Sequence, residues 1–271
     1  MIIGSFPCVC FHPIFITHTA SAPPKNNGQA LYLIGLMLRM SDLRLHNSKS
    51  LPTELIFPFS WVESSEEPKT GELGFFEGAL KAFDGERWIA FDLADTLKGI
   101  RPSPKGFASE PLVKALGMIK HKPARVIDAT CGTGKDSLQI WGYGNKILAF
   151  ERHPMVYALL WDALRRVAIP NFELRNADAS CELFNSDDVV YFDPMFEHVE
   201  KKKSLARKEM QLFKNAVGAD TDQSEVLERL LKSGCGRVVV KRPIKLESHP
   251  KPNHSIEGKT VKYDVYLPLL G

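Results

Sequence analysis

The feature that most constrains this chain is the regular alternation of short apolar runs with amphipathic segments between residues 125 and 192. Arg125 to Ala129 reads as a strand, broken by Cys131-Gly132-Thr133-Gly134, and Asp136 to Trp141 resumes as a helix. Lys146 to Phe150 is a second strand, ending at Glu151. Met155 to Val167 places Ala158, Leu159, Ala163, Leu164 and Val167 along one helical face. Phe172 to Arg175 and Val189 to Phe192 follow as third and fourth strands, the last closing at Asp193-Pro194. Strands and helices alternating in this way build βαβ units, which predicts an α/β fold: a central, mostly parallel sheet flanked by helices on both faces. Ligands of such sheets lie at the carboxyl ends of the strands. Asp128 to Gly134, Glu151, Asp178 and Asp193 all fall there, so four strand ends present polar groups to one crevice.

Composition excludes broad alternatives. The chain has 271 residues, enough for one large domain or two modest ones, and 44% hydrophobic with 25% charged residues is the balance of a globular protein. Net charge is +3, from 35 Lys and Arg against 32 Asp and Glu, so any basic surface for a polyanion must be local. Five cysteines at unrelated spacings argue against a disulfide framework and a four-ligand zinc site; the expectation is a reducing compartment and no metal.

The chain divides into an extension (1–40), a small N-terminal α+β segment (41–105) and a main domain (106–271). The extension carries an apolar stretch ending in Thr19-Ala20-Ser21-Ala22, but no Lys or Arg precedes it and Pro7, His12, Pro13 and His18 interrupt it, unlike a secretory signal. Ala30 to Leu38 is about half of a membrane span. The expectation is a cytoplasmic protein without membrane insertion, whose extension lies outside the fold, with Met37 or Met40 as an alternative start. Residues 41–85 mix clusters such as Leu55 to Phe59 and Leu73 to Phe76 with Pro, Ser and Glu, a texture of short strands and loops. Arg87 to Leu93 reads as a strand and Ser109 to Ile119 as a helix.

The glycine turn permits a tight bend and close backbone approach to a ligand. It is not a Walker loop: Ala129 stands five positions before Gly134, and Lys135 is followed by Asp136. Nor is it a complete dinucleotide fingerprint, because Ser137 replaces the third glycine. Glu151, at the second strand end, is an acid of the kind that accepts hydrogen bonds from ribose hydroxyls. Asp193-Pro194-Met195-Phe196 resembles the Asp/Asn-Pro-Pro-Tyr/Phe motif of methyltransferases acting on exocyclic or amide nitrogens, with Met195 in place of the second proline. Such an amine has a delocalised lone pair, so its protons must be held by acceptors, here the Asp193 carboxylate and the Pro194 carbonyl. Phe196 would stack on the base, a contact worth roughly 1–3 kcal/mol.

Asp128 with the glycine turn, then Glu151, Asp178 and Asp193-Pro194, resembles the class I S-adenosylmethionine-dependent fold. Asp193 to His198, Lys201 to Met210 and Val238 to Pro243 resemble the RsmJ family, bacterial 16S ribosomal RNA guanine-N2 methyltransferases, over about residues 86–267. The resemblance implies S-adenosylmethionine as cofactor and 16S rRNA or the small ribosomal subunit as partner. It places Lys135 and Asp136 at the methionine end of the pocket and makes Asp128, Gly132 and Gly134 cofactor-binding residues with them. Glu151 and Arg152 fall at the ribose and adenine, and Asp178 and Ala179 border the adenine. Asp193 stands between cofactor and target amine. Lys201, Lys202, Lys203, Arg207 and Lys208 form a phosphate-binding candidate, with Lys241 and Arg242 on the same rim. Two other readings stay open: another nucleotide-dependent Rossmann-like enzyme, such as a dehydrogenase using the same turn, and a non-catalytic RNA-binding ribosome assembly factor.

Overall fold

The computed structural model describes residues 43–47, 61–100, 107–194 and 222–268. The 1–40 extension and the Leu55 to Phe59 cluster lie outside them. Two sheets organise the chain. The smaller has five strands, β1 (Leu43–His46), β2 (Trp61–Glu63), β3 (Leu73–Phe76), β4 (Ala79–Phe83) and β5 (Trp88–Ile89), in the order β2-β1-β3-β4-β5. The short strands expected over 41–85 are therefore present. Of the strand expected over Arg87 to Leu93, only Trp88–Ile89 pairs in the sheet. Asp92 accepts the Ala94 amide at 2.9 Å, turning the chain into α1 (Ala94–Gly99), while Phe91 and Leu93 go into the core.

α2 (Pro111–Ala115) is shorter than the apolar spacing over 109–119 suggests, because Gly117 adopts a left-handed φ of 76° and ends the turn. The larger sheet then begins with β6 (Arg125–Asp128), α3 (Lys135–Gly142), β7 (Ile147–Phe150), α4 (Pro154–Val167), β8 (Phe172–Arg175) and β9 (Asp188–Phe192). These agree with the sequence to within a residue or two at each end. α5 (Gln223–Leu231), β10 (Arg237–Pro243), β11 (His254–Glu257) and β12 (Val261–Tyr266) complete it. The spatial order is β11-β12-β10-β9-β6-β7-β8. β6, β7, β8, β9 and β10 are mutually parallel, and β12 runs antiparallel to both β10 and β11. β7 and β9 are buried along their whole length, as strands covered on both faces must be. β10 extends past Val240 to Pro243 because Lys241 and Arg242 pair with Tyr263 and Lys262 of β12.

The chain steps outward from β6 through β7 to β8, then returns to lay β9 on the other side of β6. That reversal opens a crevice above the carboxyl ends of β6 and β9, the topological switch point where such sheets bind ligands. One continuous core joins the two sheets: Leu45, Leu73 and Leu80 share a buried cluster with Leu138, Leu159 and Val239. Polar contacts reinforce the junction. The fully buried Asp162 of α4 accepts the Leu80 amide at 3.0 Å and pairs with Arg165 at 2.9 Å and Arg166 at 3.0 Å, and Arg166 reaches the Phe91 carbonyl at 2.6 Å. Among the described residues no helix is long and apolar enough to cross a membrane.

Candidate active site

The glycine turn is shaped from beneath by Asp128. Its carboxylate accepts the Thr130 amide at 3.1 Å and the Ser137 hydroxyl, tying the end of β6 to the first turn of α3. Gly132 and Gly134 hold φ of 52° and 77°. A Cβ at Gly134 would stand 2.8 Å from Leu160 Cδ1, so this position is closed to side chains by both backbone and packing. Asp128 is 1% exposed, and burial pushes its carboxyl up to about 7 against the opposing Ser137 and Thr130 hydrogen bonds. The carboxylate holds the turn in shape.

A pH dependence of stability follows. Between an unfolded value of about 3.9 and the folded value, the native state binds the extra proton, so this group's contribution falls as pH rises through that window and is flat above it. Asp128→Asn removes the titration. Urea denaturation from pH 4 to 8 is expected to show the stability advantage of wild type over Asp128→Asn shrinking by on the order of a few kcal/mol. A difference independent of pH would refute this reading.

At the end of β7, the two Glu151 oxygens accept the Gly132 amide at 3.1 Å and the His153 amide at 2.7 Å. The carboxylate thus bridges the second strand end to the glycine turn. Asn176 donates to the Glu151 carbonyl at 2.7 Å. Arg152 turns to Asp222, just before α5, in a two-pronged pair at 2.7 and 3.1 Å. The sequence reading did not single out Asp222; an acid directly before an amphipathic helix was its available signal. Asp178 accepts the Ser180 amide at 2.8 Å and caps the turn Ala179–Cys181, with Ala179 buried beside it. Among the described residues the buried Ser180 hydroxyl has no hydrogen-bond partner.

Asp193, just beyond β9, is locked by its own amide, which donates to Thr130 Oγ1 at 2.8 Å. Its Oδ2 meets Lys241 Nζ at 2.8 Å, and the same nitrogen meets Asp136 Oδ2 at 2.6 Å. The Tyr191 hydroxyl donates to Asp136 Oδ2 at 2.5 Å. Burial raises the Asp136 carboxyl, but the Lys241 charge and the hydrogen bonds from Lys241 and Tyr191 outweigh it and hold the group below the ordinary range. Burial and the facing acids push the Tyr191 phenol well above its usual value. Burial alone would lower the Lys241 ammonium; the attraction of Asp193 and Asp136 keeps it raised instead.

Lys241 and Arg242 are expected on an RNA-facing rim, and the structure turns both inward. Lys241 holds two acids of the crevice. Arg242, on the opposite face of β10 and 8% exposed, pairs with the buried Asp264 at 3.0 Å and donates to the His249 carbonyl at 3.4 Å. Both charges are committed inside the protein. Lys135 opens α3 and is exposed, and Pro194 is buried behind Asp193. Phe196, Lys201, Lys202, Lys203, Arg207 and Lys208 lie outside the described residues. Among the described residues no group of three His, Cys, Asp or Glu side chains is disposed to hold a metal ion.

The donor set fits S-adenosylmethionine. Glu151 is an acceptor-only carboxylate whose oxygens can each take a bond beyond the backbone amide they hold, as ribose hydroxyls require. The glycine turn admits close approach, and the orphaned Ser180 hydroxyl, beside the small Ala179, suits a purine edge. Asp136, Asp193 and Lys241 together carry one net negative charge, suited to a sulfonium. A sheet of this order with an antiparallel β12, and an acid at or just after the carboxyl end of each of β6, β7 and β9, define an S-adenosylmethionine-dependent methyltransferase of class I. The family model described as "Putative SAM-dependent methyltransferase" matches residues 79–268. Ribosomal RNA small subunit methyltransferase J of Thioalkalivibrio sulfidiphilus is 35% identical over 254 residues, covering 86% of this chain and 97% of the relative. The protein of the same name from Alteromonas mediterranea is 36% identical over 226 residues, covering 77% and 87%. The crystal structure of a SAM-dependent methyltransferase from Neisseria gonorrhoeae superposes with a TM-score of 0.65 at 27% identity, covering 85% of this chain and 97% of the other. The chain belongs to the ribosomal RNA small subunit methyltransferase J family. Coverage of 86% reaches into the residues before 86, so the likeness extends further toward the N-terminus than the motifs suggest.

Proposed function

We propose that this protein methylates the exocyclic N2 amine of a guanosine in 16S rRNA, acting in the cytoplasm on the RNA or on the small ribosomal subunit. The observation that carries the reading is Asp193 at the switch point, its backbone fixed on Thr130 and its carboxylate fixed on Lys241. S-adenosylmethionine supplies an electrophilic methyl group on a sulfonium. The chain's own residues do the rest by holding groups in place. Asp193 and the Pro194 carbonyl accept the two amine protons, which aims the nitrogen lone pair at the methyl. Glu151 takes the ribose hydroxyls, and Asp178 with Ala179 borders the adenine. The basic run Lys201, Lys202, Lys203, Arg207 and Lys208 supplies phosphate contacts that position the RNA, while Phe196 stacks on a base turned out of its helix or loop.

The test is transfer of labelled methyl from S-adenosylmethionine to 16S RNA, or to small subunits from cells lacking the protein, followed by nucleoside analysis. N2-methylguanosine in the digest is the expected result. Incorporation that appears as another nucleoside overturns the base assignment, and binding of NAD in place of S-adenosylmethionine overturns the chemistry.

Glu151→Ala is expected to weaken cofactor binding. It removes the ribose acceptor and also releases the Gly132 amide, so the dissociation constant for S-adenosylmethionine should rise by about 10- to 100-fold, the scale of one or two charge-assisted hydrogen bonds. Calorimetry reads this directly, and a change under about threefold contradicts it.

A further inference from the structure

The half-buried Lys241 ammonium lies at the crevice, bonded to the acid assigned to the target amine and to a second acid on α3. Its position is over-determined. β10 carries the residue, register with Tyr263 of β12 fixes that stretch of strand, and Tyr191 of β9 pins Asp136 from below. A lysine serving only the fold could neutralise one carboxylate anywhere along β10. This one bonds to Oδ2 of Asp193, the group nearest the chemistry.

We propose that Lys241 is the positioning residue of methyl transfer, holding the Asp193 carboxylate ionised and in the single orientation that receives the amine proton. The proposal rests on the assignment of Asp193 as the amine acceptor. Removing the ammonium leaves Asp136 and Asp193, already in hydrogen-bond contact, with no cation between them. Like charges at that distance disfavour joint ionisation, and a protonated Asp193 becomes a donor where an acceptor is required. The groups facing Asp193 from the surrounding elements are Asp128 of β6, Asp136 of α3, Tyr191 of β9, Lys241 of β10 and Tyr263 of β12. Burial pushes the Tyr263 phenol up to about 12 and the Tyr191 phenol well above its usual value, so neither titrates between pH 5.5 and 9; Asp128, pushed up to about 7, does so in wild type and variants alike, so the displacement of the limb between proteins, and not its absolute position, is what is read.

The experiment is steady-state methylation by the full chain, with wild-type, Lys241→Met, Lys241→Arg and Asp136→Asn/Lys241→Met proteins, from pH 5.5 to 9 on small subunits lacking the modification. For Lys241→Met, kcat at pH 7 is expected to fall about 100-fold, the cost of a misplaced reacting group, with a smaller change in cofactor KM. The acid limb of the profile should move up by about one pH unit or more. Lys241→Arg should keep the limb at its wild-type position, and the double variant, with one carboxylate neutralised, should return it toward that position. Loss of activity by the same factor at every pH, with the limb unmoved, would overturn the proposal and leave Lys241 a structural ion pair. If Lys241→Met does not fold, Lys241→Gln, which keeps a polar bridge between the two acids without the charge, takes its place: a limb displaced upward supports the proposal, and an unmoved limb overturns it. A wild-type protein that transfers no methyl to this substrate marks failure of the underlying assignment, a result distinct from either.

Discussion

Asp193→Ala is expected to reduce methyl transfer by at least about 1,000-fold while the protein still folds and binds S-adenosylmethionine. The size follows from the carboxylate's role: an exocyclic amine without an acceptor for its protons keeps its lone pair delocalised in the ring, and a positioned group of this kind contributes roughly 10²–10⁴-fold. Folding should survive because Asp193 is anchored by its backbone amide on Thr130, a bond that the substitution keeps. Cofactor affinity should fall by less than in Glu151→Ala, since the proposed function sets Asp193 at the reacting end and Glu151 at the ribose. Single-turnover methylation, combined with calorimetric titration of S-adenosylmethionine, separates the two effects. Equal single-turnover rates for wild type and Asp193→Ala would remove Asp193 from the chemistry. Loss of cofactor binding as severe as in Glu151→Ala would move its role to the cofactor pocket.

The parallel part of the larger sheet was legible in the sequence and its antiparallel edge was not. β6, β7 and β9 could be read from sequence because parallel strands buried on both faces appear as apolar runs with polar residues at their carboxyl ends, while β8, half-buried throughout, showed as the alternation Phe172-Glu173-Leu174-Arg175. That rule set Asp128, Glu151, Asp178 and Asp193 at or beyond strand ends, which is where the structure has them. The antiparallel strands β11 and β12 were not readable, because they are half exposed and mix Lys, Tyr, Asp and Ser with apolar residues. Missing β12 is also why Lys241 and Arg242 were expected outside. Without a partner strand the run Val238 to Val240 ends at the edge of the apolar stretch and the two bases fall on a loop. With β12 paired, they become strand residues with opposite faces, one turned to Asp193 and the other to Asp264. Tyr191 carried a faint signal, a phenol in an otherwise apolar strand two residues before Asp193, whose hydroxyl must find a partner when buried.

Asp162→Ala is expected to cost the largest share of stability of any single change to a residue outside the crevice. The carboxylate is fully buried in α4 and answers three groups: the Leu80 amide and the Arg165 and Arg166 guanidinium groups. Deleting it strands an amide on one sheet and two cations over the other. Breaking a buried pair from one side costs about 3–5 kcal/mol, and the partial exposure of both arginines places this case toward the lower end. That is a large fraction of the roughly 5–15 kcal/mol that holds a domain together. The consequence should reach the active site, because α4 begins just after Glu151 and His153 and carries Leu160 directly beneath Gly134. Urea denaturation should show the lower midpoint, and hydrogen exchange should show the Leu80 amide losing protection first. Asp162→Asn, which keeps one acceptor for that amide, should lose less. A loss below about 1 kcal/mol in Asp162→Ala would mean that the shared apolar core alone joins the small sheet to α4.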